Sequence, residues 1–234
     1  MPGRATSSDR MSAGRSTLAA WFAAGCGLAF FVPYAFTSAL HVDHDAYYGI
    51  YFCSVAAFLF GFTRQTGLDL RAVFTPNWQA SLVLGALSGA FVVLNVLSKE
   101  STPHPGQPYF AFAIAWRGIV YGVFDALLLT AFPAAIAIGS VGGKISGIRT
   151  RAAFAGVALS LTLVITAVYH LGYEQFRDDG VAAPEIGNAV ISLPALLSGN
   201  PAGSVAAHAT MHLAAVTHSY ETDTFLPPQT LVDD

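Results

Sequence analysis

Long apolar segments are the feature that most constrains what this chain can fold into. Several runs of about 20 residues carry few charges, and such runs are typical of helices that cross a membrane. A helix suits that environment because its backbone polar groups are hydrogen-bonded within the segment. The composition agrees, since 54% of the residues are hydrophobic and only 11% are charged, whereas a soluble domain carries about 25%. The sequence therefore predicts an all-α, polytopic transmembrane helical bundle.

We predict about six spans, of which the first five cover residues 17–40, 47–62, 78–97, 116–138 and 152–173. The sixth lies within residues 186–217, a region too long for one ordinary span and interrupted by LLSGNPAG at 196–203. We interpret this region as a broken, re-entrant helix followed by a true span from about Ala202. The predicted organisation is a disordered cytoplasmic tail (1–16), one transmembrane domain (17–217) and a polar, acidic C-terminal tail (218–234).

Lys and Arg residues of the tail and loops predict the orientation. Only Lys99 and Arg177 fall on one predicted face, and eight fall on the other: Arg4, Arg10, Arg15, Arg64, Arg71, Lys144, Arg149 and Arg151. The positive-inside rule makes the second face cytoplasmic, with the N-terminus inside. Six spans would return the C-terminus to the same face. We expect a bacterial-type plasma membrane, and no basic, aromatic-interleaved stripe indicates a nucleic-acid partner.

Small residues and cysteines in the spans favour packing over chemistry. Two pairs have the GxxxG spacing that lets helices approach closely: Gly85 with Gly89, and Gly118 with Gly122. The two cysteines, Cys26 and Cys53, each lie inside a predicted span and indicate neither a disulfide framework nor a thiolate metal site.

Ionisable residues inside spans are costly and usually functional, and they tend to face the bundle interior and pair. The sequence has five: Arg117, Asp125, His170, His208 and His212. Arg117 and Asp125 lie on one helix, eight residues or about 12 Å apart. Because this distance is too long for a direct pair, we expect each to need a partner from another span.

The stretch HATMH places His208 and His212 one helical turn apart on one face, where they can share a metal ion. His170, on the preceding predicted span, offers a third imidazole. Three neutral imidazoles and one open position are typical of catalytic zinc, so we predict a zinc site formed by His170, His208 and His212. The same residues could instead form a hydrogen-bonded polar core. His218 lies on another face, near the span end, and we exclude it from the site.

A second polar cluster, HVDHDAYYG, occupies residues 41–49 in the first predicted outer loop. Its four members could bind a metal, but a short solvated loop needs polar residues in any case. We favour the solvated-loop interpretation for His41, Asp43, His44 and Asp45.

The order of these motifs resembles that of the CAAX-protease and bacteriocin-processing (CPBP) family of intramembrane proteases, over residues 109–216. The family's motifs are two Glu followed by x-x-x-Arg, then aromatic-x-x-x-His, then His-x-x-x-Asn or Asp. FAIAWRG (112–118) supplies Arg117, TAVYH (166–170) supplies His170, and HATMH (208–212) supplies His208. The resemblance implies peptide hydrolysis within the membrane by these residues.

The chain departs from that pattern at the acidic positions. Phe112 and Ala113 stand where the family has its paired Glu, and His212 stands at the Asn or Asp position. Without the Glu pair, peptide hydrolysis lacks its general base, so we interpret the chain as resembling a divergent or catalytically inactive relative of that family. The chain also resembles the alkaline-ceramidase type of membrane hydrolase, which implies zinc held by three His, two of them in a terminal HxxxH.

The sequence leaves three functions open. The first is a membrane-embedded hydrolase of a membrane peptide or a lipid amide or ester, in which Arg117 binds an oxyanion or anionic group and Asp125 moves a proton. The second is a non-enzymatic scaffold or a subunit of a larger membrane complex. The third, a carrier that uses the buried Asp and His as a relay, is disfavoured because no inverted repeat is evident.

Overall fold

The computed structural model describes residues 13–143, 145–221 and Pro227. In this part of the chain every regular element is a helix, in the order α1 (Arg15–Ala39), α2 (His44–Thr66), α3 (Leu70–Phe74), α4 (Trp78–Leu97), α5 (Tyr109–Ser140), α6 (Ile148–Leu171), α7 (Glu174–Asp179), α8 (Ala182–Ser198) and α9 (Ala202–His218). The predicted all-α class is confirmed. Residues 1–12 of the predicted first tail, and most of the predicted C-terminal tail, lie outside the described residues.

Local sequence explains where several helices begin and end. Asp43 caps α2, since its carboxylate accepts hydrogen bonds from the backbone N–H groups of Asp45 and Ala46, which would otherwise lack an intrahelical partner. Gly67 ends α2 at φ 66°, and Gly199 ends α8 at φ 74°. Only glycine adopts this left-handed conformation without a steric penalty from Cβ.

Five helices, α1, α2, α4, α5 and α6, are long and apolar enough to cross a membrane. Large apolar side chains cover the outside of the bundle; on α4, for example, Leu87 and Leu94 are each 67% exposed. Extended apolar surfaces of this kind mark contact with a membrane or a partner. The composition, the helices and their apolar surface together identify a membrane protein, as predicted.

The last two helices, α8 and α9, each contain 17 residues and are about 25 Å long. This length is below the roughly 20 residues that a full span needs, so a sixth span stays a prediction.

α8 begins after α6 and α7, and it ends beside the start of α4, where the Asn77 side chain donates a hydrogen bond of 2.9 Å to the carbonyl of Ser198. The helix therefore runs along the bundle, with no reversal of direction within it.

The described chain ends lie at opposite ends of the bundle. Leu18, at the start of α1, packs against Gly139, at the end of α5. Val216, at the end of α9, shares a cluster with Ala113, at the start of α5. Six spans would return both termini to one face, and this stays a prediction; in the structure α8 runs the length of the bundle before α9 begins.

Small residues bring α4 and α9 into close contact. A Cβ atom on Gly85 would collide with the backbone of Gly203, and one on Gly203 would collide with the carbonyl oxygen of Ser81. The Ser81 hydroxyl donates to the carbonyl of Asn200 (2.6 Å) and accepts from the N–H of Gly203 (2.8 Å). Gly122 on α5 allows a similar approach to Ala209 on α9. These glycines therefore serve packing, as the GxxxG spacing predicted.

Candidate functional site: a buried Asp–His–His group

Asp125, His208 and His212 form a compact buried group. The Asp125 carboxylate oxygen Oδ2 lies 3.0 Å from His208 Nε2 and 3.6 Å from His212 Nε2. One ligand atom from each residue lies within 4.8 Å of the other two. All three side chains are at most 5% exposed. This is the only group of three or more His, Cys, Asp or Glu ligand atoms at metal-binding distances in the described part of the chain.

The local sequence explains how the three side chains meet. His208 and His212 lie one turn apart on α9, and their rings stack with centroids 4.9 Å apart. Asp125 lies on α5 between two π-helical stretches, Ile114–Val120 and Leu127–Ala131. Such stretches change the direction in which the following side chains point and are frequent at functional sites. Gly122, one turn before Asp125, lets α9 approach closely.

The distances within the group suit a tetrahedral metal ion. Bonds of about 2.0–2.1 Å at tetrahedral angles place neighbouring ligand atoms about 3.3 Å apart. The observed distances of 3.0 and 3.6 Å bracket this value. Two imidazoles and one carboxylate, with a fourth position open, are an established ligand set for catalytic zinc. The two imidazole nitrogens lie within 4.8 Å of each other, and the group could hold a divalent ion.

Tyr51 supports this group from α2. Its hydroxyl donates a hydrogen bond of 2.8 Å to Asp125 Oδ1, which leaves Oδ2 for the histidines. Ligating carboxylates in metal sites are usually held in this way. On the opposite side of the group, His208 Nδ1 is buried and has no hydrogen-bond partner among the described residues. Tyr51 was absent from the sequence-based site, since nothing in its local pattern distinguishes it from its neighbours Tyr47 and Tyr48.

His170, the third imidazole of the predicted zinc site, lies outside the compact group. Its Nδ1 donates a hydrogen bond of 2.8 Å to the carbonyl of Thr166, and its ring packs edge-on against Phe176. His170 nevertheless lines the same cavity as Asp125, His208 and His212. The structure thus brings Asp125, rather than His170, into direct contact with the HxxxH pair, and coordination by His170 stays a prediction.

Arg117 belongs to a second cluster, toward the start of α5. Its Nε donates to Asp45 Oδ1 at 2.8 Å, its Nη2 donates to the Tyr109 hydroxyl at 2.6 Å, and its Nη1 lies 3.2 Å from His44 Nδ1. The predicted solvated loop therefore differs from the structure, because His44 and Asp45 form the first turn of α2 and pair with Arg117. The structure does not bring Arg117 to the histidines of α9.

His218 lies at the end of α9, as predicted, and is not a member of the Asp–His–His group. Its Nε2 donates a hydrogen bond of 3.0 Å to the backbone carbonyl of Lys99. The neighbouring Ser219 hydroxyl donates to the carbonyl of Glu100. These bonds fasten the end of α9 to the segment that follows α4, which is a structural role.

A chain of four buried tyrosine hydroxyls lies beside the candidate metal site. Tyr173 is hydrogen-bonded to Tyr47 at 2.5 Å and to Tyr169 at 2.6 Å, and Tyr169 is in turn bonded to Tyr121. The tyrosines come from α2, α5, α6 and the turn after α6, so no local spacing could have predicted the chain. It provides the site with hydroxyl groups that can donate or accept hydrogen bonds.

A cavity of about 500 Å³ adjoins the group. Its polar wall contains Asp125, His170, His208 and His212, and its remaining walls are mostly apolar side chains of α4 and α8. The volume falls within the range of about 300–1,000 Å³ that is usual for small-molecule sites.

The fold and the site together define a class: a helical membrane protein with a buried Asp–His–His group on the wall of a cavity. Comparison of the chain with protein-family models, with curated proteins and with solved structures gives no match.

Proposed function

We propose that this protein is a metal-dependent hydrolase embedded in the membrane, with Asp125, His208 and His212 as its metal ligands. The observation that carries this proposal is the meeting of one carboxylate and two imidazoles, with ligand atoms within 4.8 Å of one another, in a site whose three side chains are buried. Bound zinc would lower the pKa of a coordinated water to about 7 and so supply hydroxide at neutral pH.

The surrounding side chains support hydrolysis of a carbonyl compound. Water oxygen would bond to the carbonyl carbon, the ester C–O or amide C–N bond would break, and the proton of water would end on the leaving oxygen or nitrogen. Tyr51 holds the Asp125 carboxylate in place. Tyr121 and Tyr169 line the cavity as part of the tyrosine chain, which has one hydroxyl proton left to donate to the charge that develops on the carbonyl oxygen. The substrate would be a membrane peptide or a lipid ester or amide.

The distribution of basic residues supports an orientation for this enzyme. Arg15 at the start of α1, Arg64 near the end of α2, and Arg149 at the start of α6 share one end of the bundle, whereas Lys99 and Arg177 lie toward the other. By the positive-inside rule the first end, with the N-terminus, faces the cytoplasm. We place the protein in a plasma membrane, with the bilayer as its principal partner.

The test is the metal content of the full-length protein, purified in mild detergent without chelators from cells supplied with zinc. We expect close to one zinc per chain in the parent, and less than a tenth of that in Asp125→Asn and in His208→Ala/His212→Ala. Asp45→Asn is the matched control, since Asp45 pairs with Arg117 outside the group, and it should retain zinc. Loss of zinc in His170→Ala but not in Asp125→Asn would favour the three-histidine site over the one proposed.

A folded parent protein without zinc or another transition metal would overturn the proposal. The buried Asp–His–His group would then be a hydrogen-bonded polar core, and the scaffold or complex subunit would become the working function. Iron in place of zinc would overturn only the hydrolytic chemistry, because two histidines and one carboxylate also bind Fe(II) in oxygenases.

A further inference from the structure

The cavity beside the Asp–His–His group opens toward the lipid-facing side of the bundle. Phe91 on α4 and Ile186 on α8 both line the cavity, and their side chains are 58% and 67% exposed. Side chains that face both the cavity and the outside mark its rim. The opening therefore lies between α4 and α8, where the bilayer would surround the protein.

The inner walls behind this rim are suited to hydrocarbon. Val92, Val190 and Ile191 also line the cavity, and Val92 and Ile191 are buried. Gly187 also lines it, and a Cβ placed on Gly187 would meet no heavy atom within 4 Å. Hydrocarbon is the chemistry that reaches such an opening from a bilayer, and apolar walls lined with small residues accept it at no desolvation cost.

The polar end of the cavity offers a hydrogen-bond donor. Four tyrosine hydroxyls form the chain Tyr47–Tyr173–Tyr169–Tyr121 through three hydrogen bonds. Each bond uses one proton, so four hydroxyls leave one proton that is not donated within the chain. Three of the four tyrosines, all except Tyr47, line the cavity. A carbonyl oxygen in the cavity is a suitable acceptor for that proton.

Part of the cavity wall near the end of α4 is polar. Asn95, Lys99 and Gln175 line the cavity at the same end of the bundle as His170. A ligand with one apolar and one polar arm therefore matches the shape: the apolar arm leaves between α4 and α8, and the polar arm points toward Lys99. The carbonyl that joins the two arms would lie near the tyrosines and the metal-binding group.

We propose that this cavity binds a membrane lipid by one acyl chain, with the chain between α4 and α8 and its ester carbonyl at the tyrosine hydroxyls. At about 500 Å³, the cavity accepts the carbonyl and the adjoining part of the chain, and the rest of the chain stays in the bilayer. The inference names the substrate class for the hydrolase proposed above and rests on that function for the reaction, but not for binding.

The first experiment uses the full-length protein in liposomes that contain phosphatidylcholine with a photoactivatable diazirine on one acyl chain. We expect cross-links on α4 around Phe91 and on α8 around Ile186. Gly187→Phe should fill the cavity and reduce these cross-links at least tenfold. Gly156→Phe is the matched control, because Gly156 on α6 also has open space around it but does not line the cavity, and it should label like the parent.

The second experiment compares competitors that differ only in the carbonyl. Ester-linked phosphatidylcholine should displace the probe about five- to tenfold better than its ether-linked analogue, as expected for one hydrogen bond in a buried site. This preference should disappear when all three cavity-lining tyrosines are replaced (Tyr121→Phe/Tyr169→Phe/Tyr173→Phe), because a single replacement leaves other hydroxyl protons free to donate. A parallel arm with a diazirine fatty acid separates a free acid from a bilayer lipid, since labelling by the acid alone would overturn the lipid assignment.

The outcomes separate this inference from the proposed function. Labelling spread evenly over the lipid-facing helices, or unchanged in Gly187→Phe, overturns lipid binding even where the protein contains zinc. Cavity labelling in a protein without metal overturns the hydrolase and leaves lipid binding in place. Zinc content close to that of the parent in Gly187→Phe would show that the loss of labelling does not come from misfolding.

Discussion

Arg117 and Asp125 stand eight residues apart on α5 and carry opposite charges, yet each binds a partner from another helix. Arg117 pairs with Asp45 of α2, and Asp125 lies against His208 and His212 of α9. Buried charges need such partners because isolated charges are costly away from water. One helix therefore carries two separate polar sites, of which one fastens α2 and the other can bind a ligand.

Tyr51→Phe should weaken zinc binding without removing it. The substitution deletes the hydroxyl that donates to Asp125 Oδ1 and leaves all three ligands in place. Loss of such an outer-shell partner typically lowers metal affinity by about 10- to 100-fold, which competition with a chromogenic chelator would measure. Tyr48→Phe is the control, because the buried Tyr48 hydroxyl has no hydrogen-bond partner among the described residues. An equal loss of affinity in both variants would contradict the role of Tyr51.

Asp45→Ala should destabilise the fold but leave the metal site intact. Arg117 has a side chain that is 6% exposed, so the substitution leaves a buried charge without its carboxylate. We expect a loss of about 3 kcal/mol in the free energy of unfolding, the lower end of the range for such a change, because the Asp45 side chain is 24% exposed. Asp45→Leu/Arg117→Met should recover most of it in detergent unfolding titrations. Zinc loss in Asp45→Ala would show that the two clusters are coupled.

At the scale of helices, the contact between α4 and α9 positions the histidines. Gly85 and Gly89 of α4 face Gly203 and Ala207 of α9, and His208 follows directly. The absence of side chains at these glycines lets the two backbones meet. In a bilayer, helices are not driven together by the hydrophobic effect, so this van der Waals contact stabilises the pair. The contacts at Gly203 and Ala207 therefore position the HxxxH pair that follows them on α9.

Gly203→Ala tests this contact. A methyl group at position 203 would overlap the carbonyl oxygen of Ser81, so α4 and α9 must separate. We expect a loss of about 1–3 kcal/mol in the free energy of unfolding, as for other overpacked sites, together with weaker zinc binding as His208 and His212 shift. Gly27→Ala is the matched control, because its Cβ would meet nothing within 4 Å, and it should be neutral or stabilising. Equal behaviour of the two variants would contradict close helix contact as the determinant.

The sequence predicted those parts of the fold and site that depend on local pattern. Apolar run length predicted helices at the five candidate spans, and the i, i+4 spacing predicted that His208 and His212 would share a face. Whether Asp125 or His170 completes the group depends on the rotation of α5 and α6 about their axes. That rotation is set by packing between distant helices and by the π-helical stretches of α5, which no local pattern shows. The tyrosine chain was missed for the same reason.

At the scale of the whole molecule, the path of α8 decides which side of the membrane each chain end faces. α8 begins beyond the end of α6 and finishes beside the start of α4, where Asn77 donates to the carbonyl of Ser198. α9 then runs in the direction of α4, and His218 donates to the carbonyl of Lys99 at its end. The candidate site thus lies between α9 and α5, two antiparallel helices that both run through the interior of the bundle.

This path predicts that residues after α9 face the side opposite to the N-terminus. In a Cys26→Ser/Cys53→Ser background, a single cysteine at Glu221, just beyond α9, should react with a membrane-impermeant maleimide in intact cells. A cysteine at Gly142, in the turn after α5, should react only after the cells are opened, because that turn lies at the same end as Arg15 and Arg149. Six spans with a re-entrant segment would give the opposite result at Glu221, where labelling would require opened cells. Labelling of Glu221→Cys in intact cells would therefore exclude six spans and agree with α8 and α9 both crossing the bilayer.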